Sequence, residues 1–138
     1  MASLHVELLL PDQSLWSGEA GMVIAKTIDG DIGILSGRAP VFGILSPGSL
    51  VRIQPEAGGE DGSGDEIRAA VRDGFLSVTN DRVSILTSVG LLADDVEVSE
   101  ARSDLDTAST EAGSTAAAEE SVEVRYARAR LRAAGEQA

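Results

Sequence analysis

Short apolar runs cut by two-residue turns fill the first ninety positions, and a chain punctuated so often has no room there for helices. Asp29-Gly30, Pro47-Gly48, Asp73-Gly74 and Asn80-Asp81 are the main interruptions. Glycine takes positive φ without a Cβ clash, and Asn and Asp tolerate it better than other side chains. Ahead of the first turn, Leu4, Val6, Leu8 and Leu10 alternate with Ser3, His5, Glu7 and Leu9, the period of a strand with one buried face. Further strands are predicted over 15–17, 21–27, 32–35, 41–45 and 49–54. Residues 67–71 are expected to pair with 75–79 across Asp73-Gly74, and 83–87 to return across Asn80-Asp81. Strands at this spacing predict a mostly β fold, an antiparallel sandwich or flattened barrel over residues 1–92.

Beyond Leu92 the pattern changes to an acidic linker and helical tail, 93–138. Ser99 is placed to cap a short helix with Ala101, Leu105 and Ala108 on one face, in a run that ends in Ser109-Thr110 and Gly113-Ser114-Thr115; if that helix is minimal, 106–118 is a tether. A better helix spans 119–134, where Val124, Ala127, Leu131 and Ala134 fall within about 80° of arc at 100° per residue. Arg125, Arg128 and Arg132 form the neighbouring stripe, and Gly135 is a natural stop. Between the strands, residues 55–66 hold four glycines, five acids and one proline, which reads as a mobile hairpin tip with nothing to bury.

Charge and residue inventory narrow the function classes. A net charge of −12 opposes non-specific nucleic-acid binding, which needs clustered cations. Ten acids against Arg102 occupy 91–123, whereas Arg125, Arg128, Arg130 and Arg132 make the last helix basic. With no cysteine there is no disulfide, zinc-thiolate or thiol nucleophile, and the single histidine, His5, lies in a strand pattern and reads as structural. Phosphate loops, dinucleotide fingerprints, H-E-x-x-H and nucleophile elbows do not occur. Asp94, Asp95 and Glu97 lack the spacing of a calcium loop and read as solvated linker. No catalytic residue, metal or cofactor is expected. The start of the chain lacks the character of a signal peptide and no apolar run is long enough to span a bilayer, so a soluble cytoplasmic protein is expected.

Four words in fixed order give the pattern a family. Trp16-Ser17-Gly18, then 29–35 reading DGDIGIL, Gly37-Arg38-Ala39-Pro40, and 72–79 reading RDGFLSVT make residues 4–92 resemble the epsilon subunit of the bacterial F-type ATP synthase, with an actinobacterial-like tail. The resemblance implies a non-catalytic rotor part at the cytoplasmic face of the membrane, held there only through its complex. Such a part joins the gamma stalk to the c-subunit ring, and its C-terminal helix is able to restrain ATP hydrolysis.

It also implies that two turns meet the ring: Asp29, Gly30 and Asp31, and Ser36, Gly37, Arg38, Ala39 and Pro40. The family often has proline and histidine where this chain has Ser36 and Arg38, which leaves the contact in place but not one specific to that histidine. Asp31 and Arg38 stand out as charges on closely spaced turns. Val41 and Phe42 are candidates for the face toward gamma, with core packing the competing explanation. Arg125, Arg128, Arg130 and Arg132 are candidates for a regulatory contact with the alpha and beta subunits, with a permanently packed amphipathic helix covering one sandwich face the competing reading. Some relatives bind ATP through [I/L]-D-x-x-R-A; here the aligned stretch is 96–101, VEVSEA, with Glu100 in place of the arginine, so no useful nucleotide binding is expected. A stand-alone regulatory sandwich that binds a ligand is the alternative, and a β-sandwich enzyme a more distant one.

Overall fold

The computed structural model describes residues 3–37, 39–55, 66–112 and 121–135. The strands are β1 (Leu4–Leu9), β2 (Ser14–Thr27), β3 (Gly30–Ile34), β4 (Val41–Ile44), β5 (Ser49–Pro55), β6 (Ile67–Val71), β7 (Phe75–Thr79), β8 (Arg82–Leu86) and β9 (Gly90–Leu92). A 3-10 turn (Ala93–Asp95) then leads into α1 (Val98–Ala112) and α2 (Val122–Ala133). The sheet order is β4-β7-β8-β1-β2-β5-β6-β9, with β3 on β2. It is an open path and not a closed barrel. The predicted 15–17 and 21–27 strands are one 14-residue strand, β2, whose register shifts between Ala20 and Met22. A bulge there bends the strand, so its first half pairs β1 and its second half pairs β5 and β3.

Strand parity builds the core as predicted for β1: Leu4, Val6 and Leu8 are fully buried. They meet Val23, Ile34, Val51, Ile53, Val71, Leu76, Val83 and Ile85 in one apolar cluster between the two ends of the sheet. Asn80 and Asp81 both take positive φ, +51° and +61°, closing the β7–β8 hairpin as a primed turn whose twist suits its strands. The sheet is not purely antiparallel, because β1 and β8 run parallel from His5 and Arg82 to Leu9 and Leu86.

The predicted pairing of 67–71 with 75–79 does not form. β6 pairs β5 and β9, and β7 pairs β4 and β8. Residues 72–74 are a corner between sheet ends instead of a hairpin turn. The Arg72 N–H donates to the Val89 carbonyl at 2.9 Å, its carbonyl accepts from Gly48 at 2.8 Å, and Asp73 Oδ1 accepts from the Ser88 hydroxyl at 2.5 Å. A Cβ on Gly74, at φ +140°, would stand 1.9 Å from the Leu86 carbonyl oxygen, so only glycine fits the corner. β6 also breaks alternation, with Ala69, Ala70 and Val71 all buried. The reason is that both faces are covered, the inner by the core and the outer by α2.

The tail differs from expectation at its first helix. α1 begins at Val98 and runs through Ser109-Thr110 to Ala112, so 106–112 is helix and not tether; 113–118 lies outside the described residues. Ala101, Leu105 and Ala108 do form its packing face, with Leu105 and Ala108 against Val124 of α2. α2 is capped by Ser121, whose hydroxyl accepts from the Val124 N–H at 3.4 Å, and it stops at Gly135 with φ +87°. The glycine-rich acidic stretch, 56–65, lies outside the described residues.

Candidate functional site

Three surfaces carry the sequence-predicted residues. The first is a rim built on β3, which pairs only β2 among the described strands. At its start, Thr27 pairs Gly30 across Ile28-Asp29, Gly30 carries φ +125°, and the Thr27 hydroxyl braces the turn by accepting from the Asp29 N–H and donating to the Gly30 carbonyl at 2.8 Å. At its far end, the Gly37 N–H donates to Asp81 Oδ1 at 2.7 Å, tying the second turn to the β7–β8 hairpin. The two turns are therefore not closely spaced. They sit at opposite ends of a five-residue strand, about 13 Å apart at 3.3 Å per residue. Asp31 faces Lys26 across the β2–β3 register, Ala39 and Pro40 are exposed, and Arg38 lies outside the described residues. Sequence reasoning missed Ile28, in the first turn, and Leu35, beside the second, 59% and 55% exposed. The signal was present, since an isoleucine at the head of Asp29-Gly30 and a leucine just before Ser36-Gly37 are bulky apolar residues where turn composition calls for small or polar ones.

The second surface lies on the outer face of β4, β7 and β8. Val41 and Phe42 part company here, as neighbours on a strand must. Val41 packs on the core, so it is withdrawn as a surface candidate, while Phe42 is 70% exposed. Its ring stacks on Phe75 with centroids 5.8 Å apart. Ile44, Phe75 and Leu86 form one cross-strand row beside it, all exposed. Leu76 and Val78 point inward, so parity along β7 puts Phe75 outward; that inference needed the strand pairing.

The third surface is α2, which lies on β5 and β6. Tyr126, Ala129 and Ala133 pack on Ala70, with Leu50, Ala93 and Val96 around them. Burial pushes the Tyr126 hydroxyl pKa up. The four arginines divide. Arg130 turns inward, 9% exposed, donating to Asp104 of α1 at 2.9 Å with its guanidinium 4.6 Å from the centre of the Tyr126 ring. Arg125, Arg128 and Arg132 keep to the outer side, along a groove beside β2 and β5. Arg72 of the corner pairs with Glu123, a second tie between helix and sheet.

At 96–101, Glu97 and Glu100 are exposed and Ala101 is fully buried. His5 sits between Glu7 and Glu19 on the outer face of β1, with Glu19 held below the usual carboxylate range by hydrogen bonds from Ser3 and then His5. No group of three or more potential metal ligands occurs among the described residues.

Residues 3–93 match the family model for the ATP synthase delta/epsilon chain, beta-sandwich domain. The chain is 50% identical over 132 residues to the ATP synthase epsilon chain of Thermobifida fusca, covering 95% of this chain and 91% of that protein. It is 41% identical over 115 residues to the epsilon chain of Streptomyces griseus, covering 83% and 87%. The fold matches a chain of the solved Euglena gracilis mitochondrial ATP synthase assembly (OSCP/F1/c-ring) with TM-score 0.74 at 18% identity, covering 99% of this chain and 83% of that one. The chain belongs to the ATP synthase epsilon chain family, and is thus a subunit of a membrane-associated complex.

Proposed function

We propose that this chain couples the c-subunit ring to the gamma stalk, with the β3 rim meeting the ring and the Phe42–Phe75 face meeting gamma. The observation that carries the ring contact is the pair of exposed apolar side chains, Ile28 and Leu35, at the two braced ends of β3. A force-bearing contact gains from short turns fixed by backbone hydrogen bonds, and apolar groups at its ends add burial to whatever Asp31 and Arg38 contribute as charges. Reversing both charges, Asp31→Lys with Arg38→Glu, is expected to lower retention of the subunit on the ring and proton pumping by the assembled complex. Unchanged pumping and retention would remove those two residues from the contact. For the gamma face, Phe42→Ser with Phe75→Ser is expected to reduce co-purification with gamma while leaving the isolated chain folded, since neither side chain is in the core.

The helical tail is the restraining element in this reading. Its outer arginines, the exposed Arg125 and Arg132 and the half-buried Arg128, suit carboxylate surfaces of the alpha and beta subunits when the helix leaves the sheet. Arg130 is occupied by Asp104 while the helix is docked. Deleting 119–138 is expected to raise ATP hydrolysis by the assembled enzyme. The 96–101 stretch holds no nucleotide in this account, because an acid at Glu100 repels a triphosphate. The complex sits at the cytoplasmic face of the membrane and this chain has no catalytic residue of its own. Co-purification with gamma and the ring separates this role from that of a free-standing ligand-binding sandwich.

A further inference from the structure

We propose that docking of gamma on the outer face of β4, β7, β8 and β1 takes up a proton at His5, so that the contact tightens as pH falls. This rests on the assignment of gamma to the Phe42–Phe75 face. The sheet register carries that face well past its apolar part. Ile44 lies opposite Phe75, Phe75 opposite Leu86 and Leu86 opposite Leu9, one apolar row across β4, β7, β8 and β1. The next row runs from Phe42 through Ser77 and Ser84 to Glu7, and the one after it sets Thr79, Arg82, His5 and Glu19 side by side. Leu4, Val6 and Leu8 point into the core, so strand parity turns His5, Glu7 and Leu9 outward.

The apolar row alone is too small to be a docking surface. It is about 14 Å long at 4.8 Å between strands, and one side chain wide. A stable contact covers about 800 Å² on each partner, a patch roughly 28 Å across. A partner centred on the apolar row therefore also covers Glu7 and His5, about 7 and 13 Å away along the strands at 3.3 Å per residue.

Both nitrogens of the His5 ring face a carboxylate. Nδ1 lies 3.3 Å from Glu19 Oε1, and Nε2 lies 3.4 Å from Glu7 Oε1. A neutral imidazole has one N–H and donates to only one of them, which leaves the lone pair of its other nitrogen against an oxygen; the imidazolium donates to both. Ser3 donates its hydroxyl to Glu19 Oε2 at 2.9 Å, and that bond, then the one from His5, holds the Glu19 carboxyl below the usual range. Arg82 faces His5 from β8. The Asp81 carbonyl accepts from the His5 N–H at 2.8 Å, while its carboxylate is engaged by the Gly37 N–H. With the ring neutral, Arg82 alone stands against Glu7 and Glu19; with the ring charged, the row balances.

In the free chain that imbalance matters little. The His5 and Glu7 side chains are each 37% exposed and Glu19 is 57% exposed, so water screens them. A partner seated on the face removes this water, and an uncompensated carboxylate then carries a desolvation penalty. Histidine is the side chain whose charge changes between pH 5 and 8, so His5 can cancel the penalty by binding a proton as gamma docks.

The test is calorimetry at pH 6, 7 and 8, in buffers of different ionisation enthalpy, with the full chain titrated onto the alpha–beta–gamma head purified without it. From pH 8 to pH 6 the affinity should rise at least about fivefold with net proton uptake, within the limit of roughly tenfold per pH unit that one proton allows. His5→Gln keeps a hydrogen-bonding side chain that does not titrate, and should bind at the weak pH 8 level throughout. Glu7→Gln with Glu19→Gln removes the charge that calls for the proton, and should bind at the tight pH 6 level throughout. The two variants lose the slope at opposite ends, which general damage to the sheet would not do. The proposal is overturned by a slope retained in His5→Gln, by equally weak binding in both variants, or by affinity that rises with pH, as a cationic gamma surface over the carboxylates would give. Phe42→Ser with Phe75→Ser separates this result from the assignment beneath it. Native-level binding by that variant removes gamma from the face and the proposal with it, whereas weakened binding beside a native chain that shows no pH dependence removes the proton alone.

Discussion

Replacing Gly48 with alanine should undock α2 while leaving the sandwich folded. The added Cβ would lie 2.4 Å from Arg125 Cβ and 2.6 Å from both the Arg125 carbonyl carbon and the Tyr126 nitrogen, about 1 Å inside ordinary contact. Two of those atoms are helix backbone and the third is a Cβ, whose position no side-chain rotation changes, so the helix itself must move. A left-handed conformation at φ +63° adds about 1–2 kcal/mol for a residue with a Cβ. The loss is capped by what docking contributes. Three alanine methyls, of Ala70, Ala129 and Ala133, at about 0.8 kcal/mol each, and Tyr126 at roughly 1.5–3 kcal/mol, give a gross figure of about 4–5 kcal/mol before ordering costs. A net shift of about 2 kcal/mol is therefore expected, or roughly 30-fold in the docking equilibrium. Hydrogen exchange measures it directly: amides of Val122–Ala133 should lose protection by that factor while β1 and β8 keep theirs. Gly37→Ala is the comparison, since Gly37 has φ +84° but nothing within 4 Å of a Cβ, so it carries the strain without the clash. Unchanged α2 protection in Gly48→Ala, or equal loss in the two variants, would refute the reasoning.

Three further substitutions probe the contacts around that helix. Arg130→Met keeps the buried stem but removes the bond to Asp104 and the contact with the Tyr126 ring; a loss of about 1–2 kcal/mol is expected from urea midpoints at constant slope. Glu66→Gln tests the Arg52 pair. The Glu66 carboxyl is depressed below 4.5, first by the hydrogen bond from Arg52, so its contribution is present above the unfolded value and lost as pH falls through the folded one. The variant should be less stable at pH 7 by under about 1 kcal/mol, with the gap closing in acid; a gap that widens in acid would reverse the assignment. Asp73→Ala removes acceptors for the Ser88 N–H and hydroxyl at the sheet corner and should cost about 1–2 kcal/mol in thermal or urea unfolding.

The sequence made some of this legible and hid the rest for a physical reason. Parity along β1, the primed turn at Asn80-Asp81 and the buried stripe of α2 are local properties, set by residues within one element or one turn of each other. The failed pairing of 67–71 with 75–79 depended on the far ends of the sheet. Asp73-Gly74 has hairpin composition, but the Gly74 carbonyl accepts from the Leu45 N–H, the Asp73 carboxylate from Ser88, and the preceding Arg72 backbone bonds Gly48 and Val89, all distant in sequence. The parallel β1–β8 pair was equally invisible, because nothing within either strand distinguishes a parallel neighbour from an antiparallel one. At the candidate surfaces, Phe42 was named but its companions Phe75 and Ile44 were not, since their alignment exists only through the β4–β7 register. The arginine stripe was read correctly as a stripe, yet its relation to Lys26 and Arg52 required the docked helix.

The packing of α2 joins the two halves of the proposed role. A helix meant only to stiffen a sandwich would be expected to bury long apolar side chains, but this one meets the sheet through Ala129, Ala133 and one tyrosine, and spends its charge on edges and ties: Glu123 to Arg72, Arg130 to Asp104. Small residues allow close approach at little transfer free energy, and exposed or half-exposed ion pairs add little more. The strands, by contrast, share a continuous core of leucine, valine and isoleucine. The tail is therefore the low-stability unit of the fold and the sandwich the high-stability one, a gradient that lets the helix leave without loosening the platform.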